Sequence, residues 1–303
     1  MKWIRCRSRA RFALTQILAG LLGLGLGWTR LSDAQVAAPA AAPTILQAPD
    51  QFFTRGEVRL RYREAGQGEP VVLLHGYTQR IELMQDLADS LSPGFRVIVF
   101  DQRGFGESSK FSDPARYGRG MTADVIGLLD HLGIRRAHLV GHSMGALVAA
   151  SAAERHPDRV ASASLIAGPF YPDSAQFARM AEPWIGALER GEGLVEFGKW
   201  ILPGIPDSIM VAFNAQIMAM NDLGSLIAAF RSMGGLVPTR QPGRSTRILI
   251  AVGTGDPLLP QSQGLKARWT GARYLELPGV NHDAIRAHGQ VVQAIREIVP
   301  SRP

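Results

Sequence analysis

Sulfur chemistry and metal-ligand clusters are what this chain has least of. A single cysteine, Cys6, occurs in 303 residues, so no intramolecular disulfide can form. None of the seven histidines stands in an H-E-x-x-H pattern or beside cysteines at metal-binding spacing. The sequence therefore gives no reason to expect a metal or another cofactor. No internal repeat is visible either. What is abundant is apolar residues, 46% of the chain, ample for the core of one large domain or two small ones.

Positive charge is unevenly placed. Lys2, Arg5, Arg7, Arg9 and Arg11 precede an uncharged apolar stretch from Phe12 to Trp28, the order of a secretory n-region and h-region. Ser32-Asp33-Ala34 offers small residues to a signal peptidase, and cleavage after Ala34 is expected in preference to retention as an anchor. Glycines at positions 20, 23, 25 and 27 weaken the stretch as a spanning helix. Adjacent twin arginines and a lipidation cysteine after the h-region are both missing. The expected location is the periplasm or the medium, with no stable membrane span in the mature protein. Losing residues 1–34 removes six cationic residues, one acid and Cys6, and lowers the net charge from +7 to +2. The basic balance then belongs to an address label, and nucleic-acid binding loses its support.

Residues 35–51 open with "QVAAPAAAPTILQAP", whose alanine and proline bury little and read as an extended tether. The folded part is expected from about Phe52. Glu57–Arg63 alternates as an antiparallel edge strand does. Val71–Leu74, Val97–Phe100, His138–Val140, Ser164–Ala167 and Ile248–Val252 are short continuous apolar runs, the pattern of strands covered on both faces. Helical periodicity marks Glu82–Leu91, Thr122–Leu132 and Ala146–His156, with Gly133 placed as a C-cap. Strand alternating with helix predicts an α/β fold on a mostly parallel sheet.

"LVGHSMGALVAA", Leu139–Ala150, holds Ser143 in a G-x-S-x-G pattern. Such a match arises by chance about 0.2 times in a glycine-rich chain of this length, so its flanks must decide. A buried strand precedes it and a helix follows, the context of a strained nucleophile elbow. A serine hydroxyl attacks only when a base takes its proton, so a histidine and an acid are required elsewhere. "ILIAVGTGDPLLP" sets Asp256 at the exit of a buried strand, and "LELPGVNHDA" sets His282 in the loop after the next one. Asp173, after an earlier strand, is an alternative acid. Asp283 reads as a surface or capping carboxylate, and His75 and His142 as loop braces.

Two further stretches complete a set: "VVLLHGYT" ends a strand in His75-Gly76-Tyr77, and "VIVFDQRGFGESS" carries D-x-R-G-x-G-x-S from Asp101. Together these elements resemble the α/β-hydrolase superfamily over about residues 52–299, nearest the serine esterase, non-heme haloperoxidase and perhydrolase-like branch. The resemblance implies an α/β-hydrolase fold with helices on both sheet faces and a helical cap after the sixth strand. It also implies a core over 52–169 and 244–303 with the cap at 170–243. Ser143 would be nucleophile, His282 general base and acid, and Asp256 the orienting acid. Backbone amides of Tyr77 and Met144 would form the oxyanion hole. Dehalogenases and epoxide hydrolases of similar fold carry aspartate at the elbow, so serine points away from both.

The stretch 170–243 breaks the strand-helix rhythm and is rich in aromatic and methionine side chains. Tyr77, Trp184, Met180 and Phe213 are expected to bind substrate in an apolar acyl or alcohol pocket. The expected activity is hydrolysis of a hydrophobic small-molecule carboxylic ester. The same triad could act on another bond or acceptor, as in C–C hydrolases, aminopeptidases, lactonases and perhydrolases. A non-catalytic binding module on the same fold is the third class.

Overall fold

Apolar side chains at successive positions of a strand point to opposite faces, so an unbroken apolar run needs cover on both sides. In the computed structural model, which describes residues 44–300, that cover is present. Val72 and Leu74 join one core, whereas Val71 and Leu73 join the other; Ile248 and Ile250 alternate with Leu249 and Ala251 in the same way.

Eight strands form one sheet: β1 (Gln51–Arg55), β2 (Val58–Ala65), β3 (Pro70–Leu74), β4 (Arg96–Phe100), β5 (Ala137–His142), β6 (Val160–Ile166), β7 (Arg247–Gly253) and β8 (Arg273–Leu277). Their order is β1-β2-β4-β3-β5-β6-β7-β8. β2 is antiparallel to β1 and β4, and all other pairings are parallel. Helices α2 (Arg119–His131), α3 (Met144–Arg155) and α8 (Leu259–Arg268) pack into one core, and α1 (Gln85–Leu91) and α9 (Gly289–Ile298) into the other. Gly133 ends the α2 turn at φ 65° as a C-cap glycine does.

Between β6 and β7 the chain leaves the sheet and forms α4 (Ser174–Glu189), α5 (Val195–Ile201), α6 (Asp207–Met220) and α7 (Leu223–Ser232). This insertion falls within the segment expected to form a cap. The sheet and the insertion lie in one compact unit. Residues 1–34, read as a secretory signal, lie outside the described residues, as does most of the 35–51 stretch. Among the described residues no helix is long and apolar enough to cross a membrane.

Two expectations need correction. The end of the 35–51 stretch is no free tether. Ile45 is fully buried, its N–H donates to Asp89 Oδ1 at 2.8 Å, and β1 already begins at Gln51. β2 is not an edge strand, since β1 lies outside it. Arg59 is exposed, but two of its alternating charges face an ion-pair network: Arg61 contacts Asp50, Glu82 and Asp101, and Arg63 contacts Asp50.

Candidate active site

β3 has β4 on one side and β5 on the other, so successive connections leave the sheet in opposite directions at this point. A crevice opens at such a reversal, at the carboxyl ends of the strands. Leu74 and Gly141 are partners in the β3–β5 pairing, and His142 pairs with Ile166 of β6. The residues that follow, His75-Gly76-Tyr77 and Ser143, therefore emerge side by side.

Ser143 adopts φ 54° and ψ −117° between β5 and α3. A side chain in that region costs on the order of 1–3 kcal/mol and persists only where its surroundings hold it. Here the Ser143 N–H donates to Ile166 O at 2.8 Å and its carbonyl accepts from Ala146 at 3.0 Å. The glycines of the motif allow the close approach. A Cβ on Gly141 would lie 2.1 Å from Gly145 O, and one on Gly145 would lie 2.1 Å from Leu74 O. The first ten residues of α3, half of them alanine, are all buried against the sheet.

Asp256 follows β7 and His282 follows β8, and the structure joins them. His282 Nδ1 is 2.8 Å from Asp256 Oδ2, with both side chains almost fully buried. Asp256 Oδ1 accepts the Leu258 N–H at 2.8 Å, which fixes the carboxylate plane. His142 Nε2 lies 2.9 Å from His282 O and steadies the loop that carries His282. Ser143 and His282 border the same cavity. No direct hydrogen bond joins the Ser143 hydroxyl to the imidazole among the described residues, and catalytic contacts of this kind commonly tighten only with substrate in place. The alternative acid Asp173 is instead the exposed N-cap of α4, accepting from Gln176 N at 2.7 Å. Asp283 pairs with Arg286 at 2.9 Å on the cavity wall.

His75 and His142 brace the loops around the site. Gln102 N–H donates to His75 Nε2 at 3.0 Å, which leaves His75 Nδ1 to donate to Gly76 O at 2.8 Å. Burial lowers the pKa of both His75 and His142, so both stay neutral. The loop from Asp101 is also architectural: Asp101 accepts from Ile81 N and Glu107 N, each at 2.8 Å. Position 106 needs glycine twice over, since its φ is 51° and a Cβ there would strike the Asp101 carboxylate. Arg103 makes a two-pronged pair with buried Asp124, 2.6 Å on each prong.

Tyr77 stands just after the His75-Gly76 turn, and Met144 is the first residue of α3, where a helix offers its amides no intrahelical partner. Two contacts that no local motif announces tie the loop after β3 to the insertion. Tyr77 Oη donates to Leu226 O at 2.9 Å, and Asn221 Nδ2 donates to Thr78 O at 3.2 Å. These make α4–α7 a roof whose position bears directly on the loop. Nothing in the sequence around Asn221 or Leu226 signals this, because the contact arises only once the insertion folds back over β3.

The comparisons agree with this architecture. Residues 69–195 match a family described as alpha/beta hydrolase fold. Epoxide hydrolase A of Mycobacterium tuberculosis is 34% identical over 217 residues, 69% of this chain and 62% of that protein. The chain belongs to the α/β-hydrolase superfamily. A second relative, 2-hydroxy-6-oxo-6-phenylhexa-2,4-dienoate hydrolase of Comamonas testosteroni, is 37% identical over 125 residues, 40% of this chain and 43% of that protein. Among solved structures, a thermophilic esterase from Thermogutta terrifontis aligns with TM-score 0.67 and 27% identity over 82% of this chain and 97% of the esterase. Epoxide hydrolase A from Mycobacterium thermoresistibile aligns with TM-score 0.68 and 22% identity over 83% and 98%. The matched segment thus spans under two thirds of the curated relatives' own length.

The cleft of this α/β-hydrolase is lined mainly by apolar side chains, with Gln79, Asn214, Gln216, Asp283 and Arg286 among them. Tyr77, Met180 and Phe213 border it. Trp184 does not. Its ring packs on Trp200 at 6.1 Å and Phe197 at 5.8 Å, and these two face the cleft in its place. Among the described residues no group of three or more His, Cys, Asp and Glu side chains is placed to hold a metal ion.

Proposed function

We propose that the protein is a serine hydrolase that cleaves apolar carboxylic esters through an acyl-enzyme on Ser143. The observation that carries this reading is the buried Asp256–His282 contact at 2.8 Å beside a strained serine elbow on one shared cavity. Ser143 Oγ attacks the ester carbonyl while His282 Nε2 takes its proton. Nδ1–H stays on Asp256, which stabilises the imidazolium. The oxyanion accepts from the Tyr77 and Met144 amides, and loss of one such donor costs about 2.7–4 kcal/mol. His282 then protonates the leaving alcohol, and water reverses the sequence to release the acid.

Likeness to epoxide hydrolases does not extend to the nucleophile: the elbow here holds a hydroxyl, whereas the aspartate enzymes of this fold attack with a carboxylate. The likeness to a dienoate hydrolase favours a second reading, in which the same triad cleaves a carbon–carbon bond. The apolar lining of the cleft favours the ester. The basic-then-apolar character of residues 1–34 supports action outside the cytoplasm, which N-terminal sequencing of the mature protein checks.

The test combines a fluorophosphonate probe with a panel of esters, lactones, amides and ring-cleavage dienoates. Labelling that disappears in Ser143→Ala, with turnover highest on esters, is expected. No labelling of the folded protein refutes the serine-hydrolase reading, and turnover confined to dienoates selects the second one.

A further inference from the structure

Two cavities meet at Ser143, and different catalytic groups border them. The larger, about 260 Å³, is bordered by His142 and His282 as well as Ser143. The smaller, about 30 Å³, is bordered by Ser143 and Met144 and by neither histidine. Tyr77 borders both.

The path of the proton decides which part of an ester enters which chamber. In acylation the Ser143 oxygen bonds to the carbonyl carbon, and the bond from that carbon to the alcohol oxygen breaks, its electron pair leaving with the oxygen. The proton that His282 took from Ser143 passes to that oxygen, so the leaving alcohol must lie beside His282. That is the larger chamber. The carbonyl oxygen points to the Tyr77 and Met144 amides, and the direction left for the acyl chain is the smaller chamber.

That chamber imposes two limits. Its lining carries no carboxylate, amide or cation: the polar side-chain groups are the Ser143 hydroxyl, the Trp200 indole N–H and the Tyr77 hydroxyl, the last already committed to Leu226 O at 2.9 Å. A charged acyl chain would lose its hydration there with no counter-charge in return, and one bearing several hydroxyls would meet a single indole donor. A volume of about 30 Å³ holds only about two or three water-sized groups. The aromatic part of the wall is braced: Phe230 contacts Phe177 at 6.2 Å and Phe197 at 5.6 Å. Met180 of α4 is half-buried and flexible.

Resting on the serine-hydrolase reading above, we propose that the enzyme selects short apolar acyl groups, about two to four carbons, and accepts large alcohols. Met180 sets the acyl limit from the cap, and Phe213 shapes the alcohol side.

Measuring kcat/KM across p-nitrophenyl esters from acetate to dodecanoate, and across acetates of increasingly bulky alcohols, tests this in the parent protein, Met180→Ala, Met180→Phe and Phe213→Ala. The parent should peak at two to four carbons and fall at least tenfold by octanoate. Met180→Ala should carry the fall to chains at least two carbons longer, and Met180→Phe should narrow it toward acetate. Phe213→Ala should reorder the alcohols and leave the acyl profile in place. A parent peak at octanoate or beyond, or an acyl limit moved by Phe213→Ala and by neither Met180 variant, overturns the assignment. Fluorophosphonate labelling separates the two levels: a labelled protein with the wrong profile overturns the chamber assignment alone, and an unlabelled one overturns both.

Discussion

Replacing Asp256 by asparagine changes no volume and reverses one hydrogen bond. Asp256 Oδ1 accepts the Leu258 N–H at 2.8 Å, and Oδ2 faces His282 Nδ1 at 2.8 Å. In Asp256→Asn the amide oxygen stays with Leu258, because the flipped amide would set two donors against each other in a buried site and lose about 1–3 kcal/mol. The NH₂ group then points at Nδ1, which must become an acceptor. The imidazole proton moves to Nε2, where the base for Ser143 is needed. An imidazole in the wrong tautomer costs on the order of 10⁴ in kcat, equivalent to about 5.5 kcal/mol at 1.36 kcal/mol per decade. Steady-state kinetics on p-nitrophenyl butanoate, beside thermal melting of the same sample, should show that loss with the fold intact. Asp173→Asn serves as the control. It keeps a capping side chain at the exposed α4 N-terminus and should leave kcat/KM within twofold. A folded Asp256→Asn variant that retains more than a tenth of parental activity refutes the orienting role of Asp256.

Gly145→Ala should destabilise the fold by about 3 kcal/mol or more, since the new methyl would lie 2.1 Å from Leu74 O and 2.7 Å from His75 O, both backbone atoms of the sheet edge. An unchanged urea midpoint would contradict the close packing of α3 on β3. His138 supplies a pH effect: burial, with Arg247 and Arg136 nearby, lowers its pKa from 6.5 to about 4. Its folded pKa lies below the unfolded one, so the unfolded chain takes up a proton first as pH falls. Stability is complete above about pH 6.5 and is lost progressively toward pH 4, by up to about 3 kcal/mol. Urea titrations at several pH values should show a shallower decline in His138→Gln; identical slopes would remove His138 as the source.

The central strands were legible because burial on both faces leaves an unmistakable apolar run, as in Val71–Leu74 and Ile248–Val252. β1 was not. Only Phe53 of "QFFTR" is buried, so the segment carries neither a continuous run nor a clear alternation. Its pairing with β2, Gln51 opposite Tyr62 through Arg55 opposite Val58, is a tertiary fact. β2 misled for a related reason. Its charged positions suggested solvent, yet Arg61 is buried among Asp50, Glu82 and Asp101. Charge alternation reports the presence of polar partners, and water is only one kind of partner.

The same distinction separates the two halves of the candidate site. Ser143, Asp256 and His282 could be placed because each stands a few residues beyond a strand whose end the sequence marks, and parallel strands deliver their exits to one edge of the sheet. The roof obeys no such rule. Trp184 and Trp200 are chemically identical and lie on consecutive insertion helices, yet Trp200 borders the small chamber and Trp184 stacks against it from outside the cavity lining. Composition sets the polarity of the cleft, whereas the packing of α4–α7 sets its volume, and acyl-chain selection depends on volume. A change at Trp184 should therefore act on selectivity only through Trp200 and Phe197, whereas a change at Met180 alters the space a substrate enters. A reading of residue types alone treats those two positions as equivalent; their place in the fold does not.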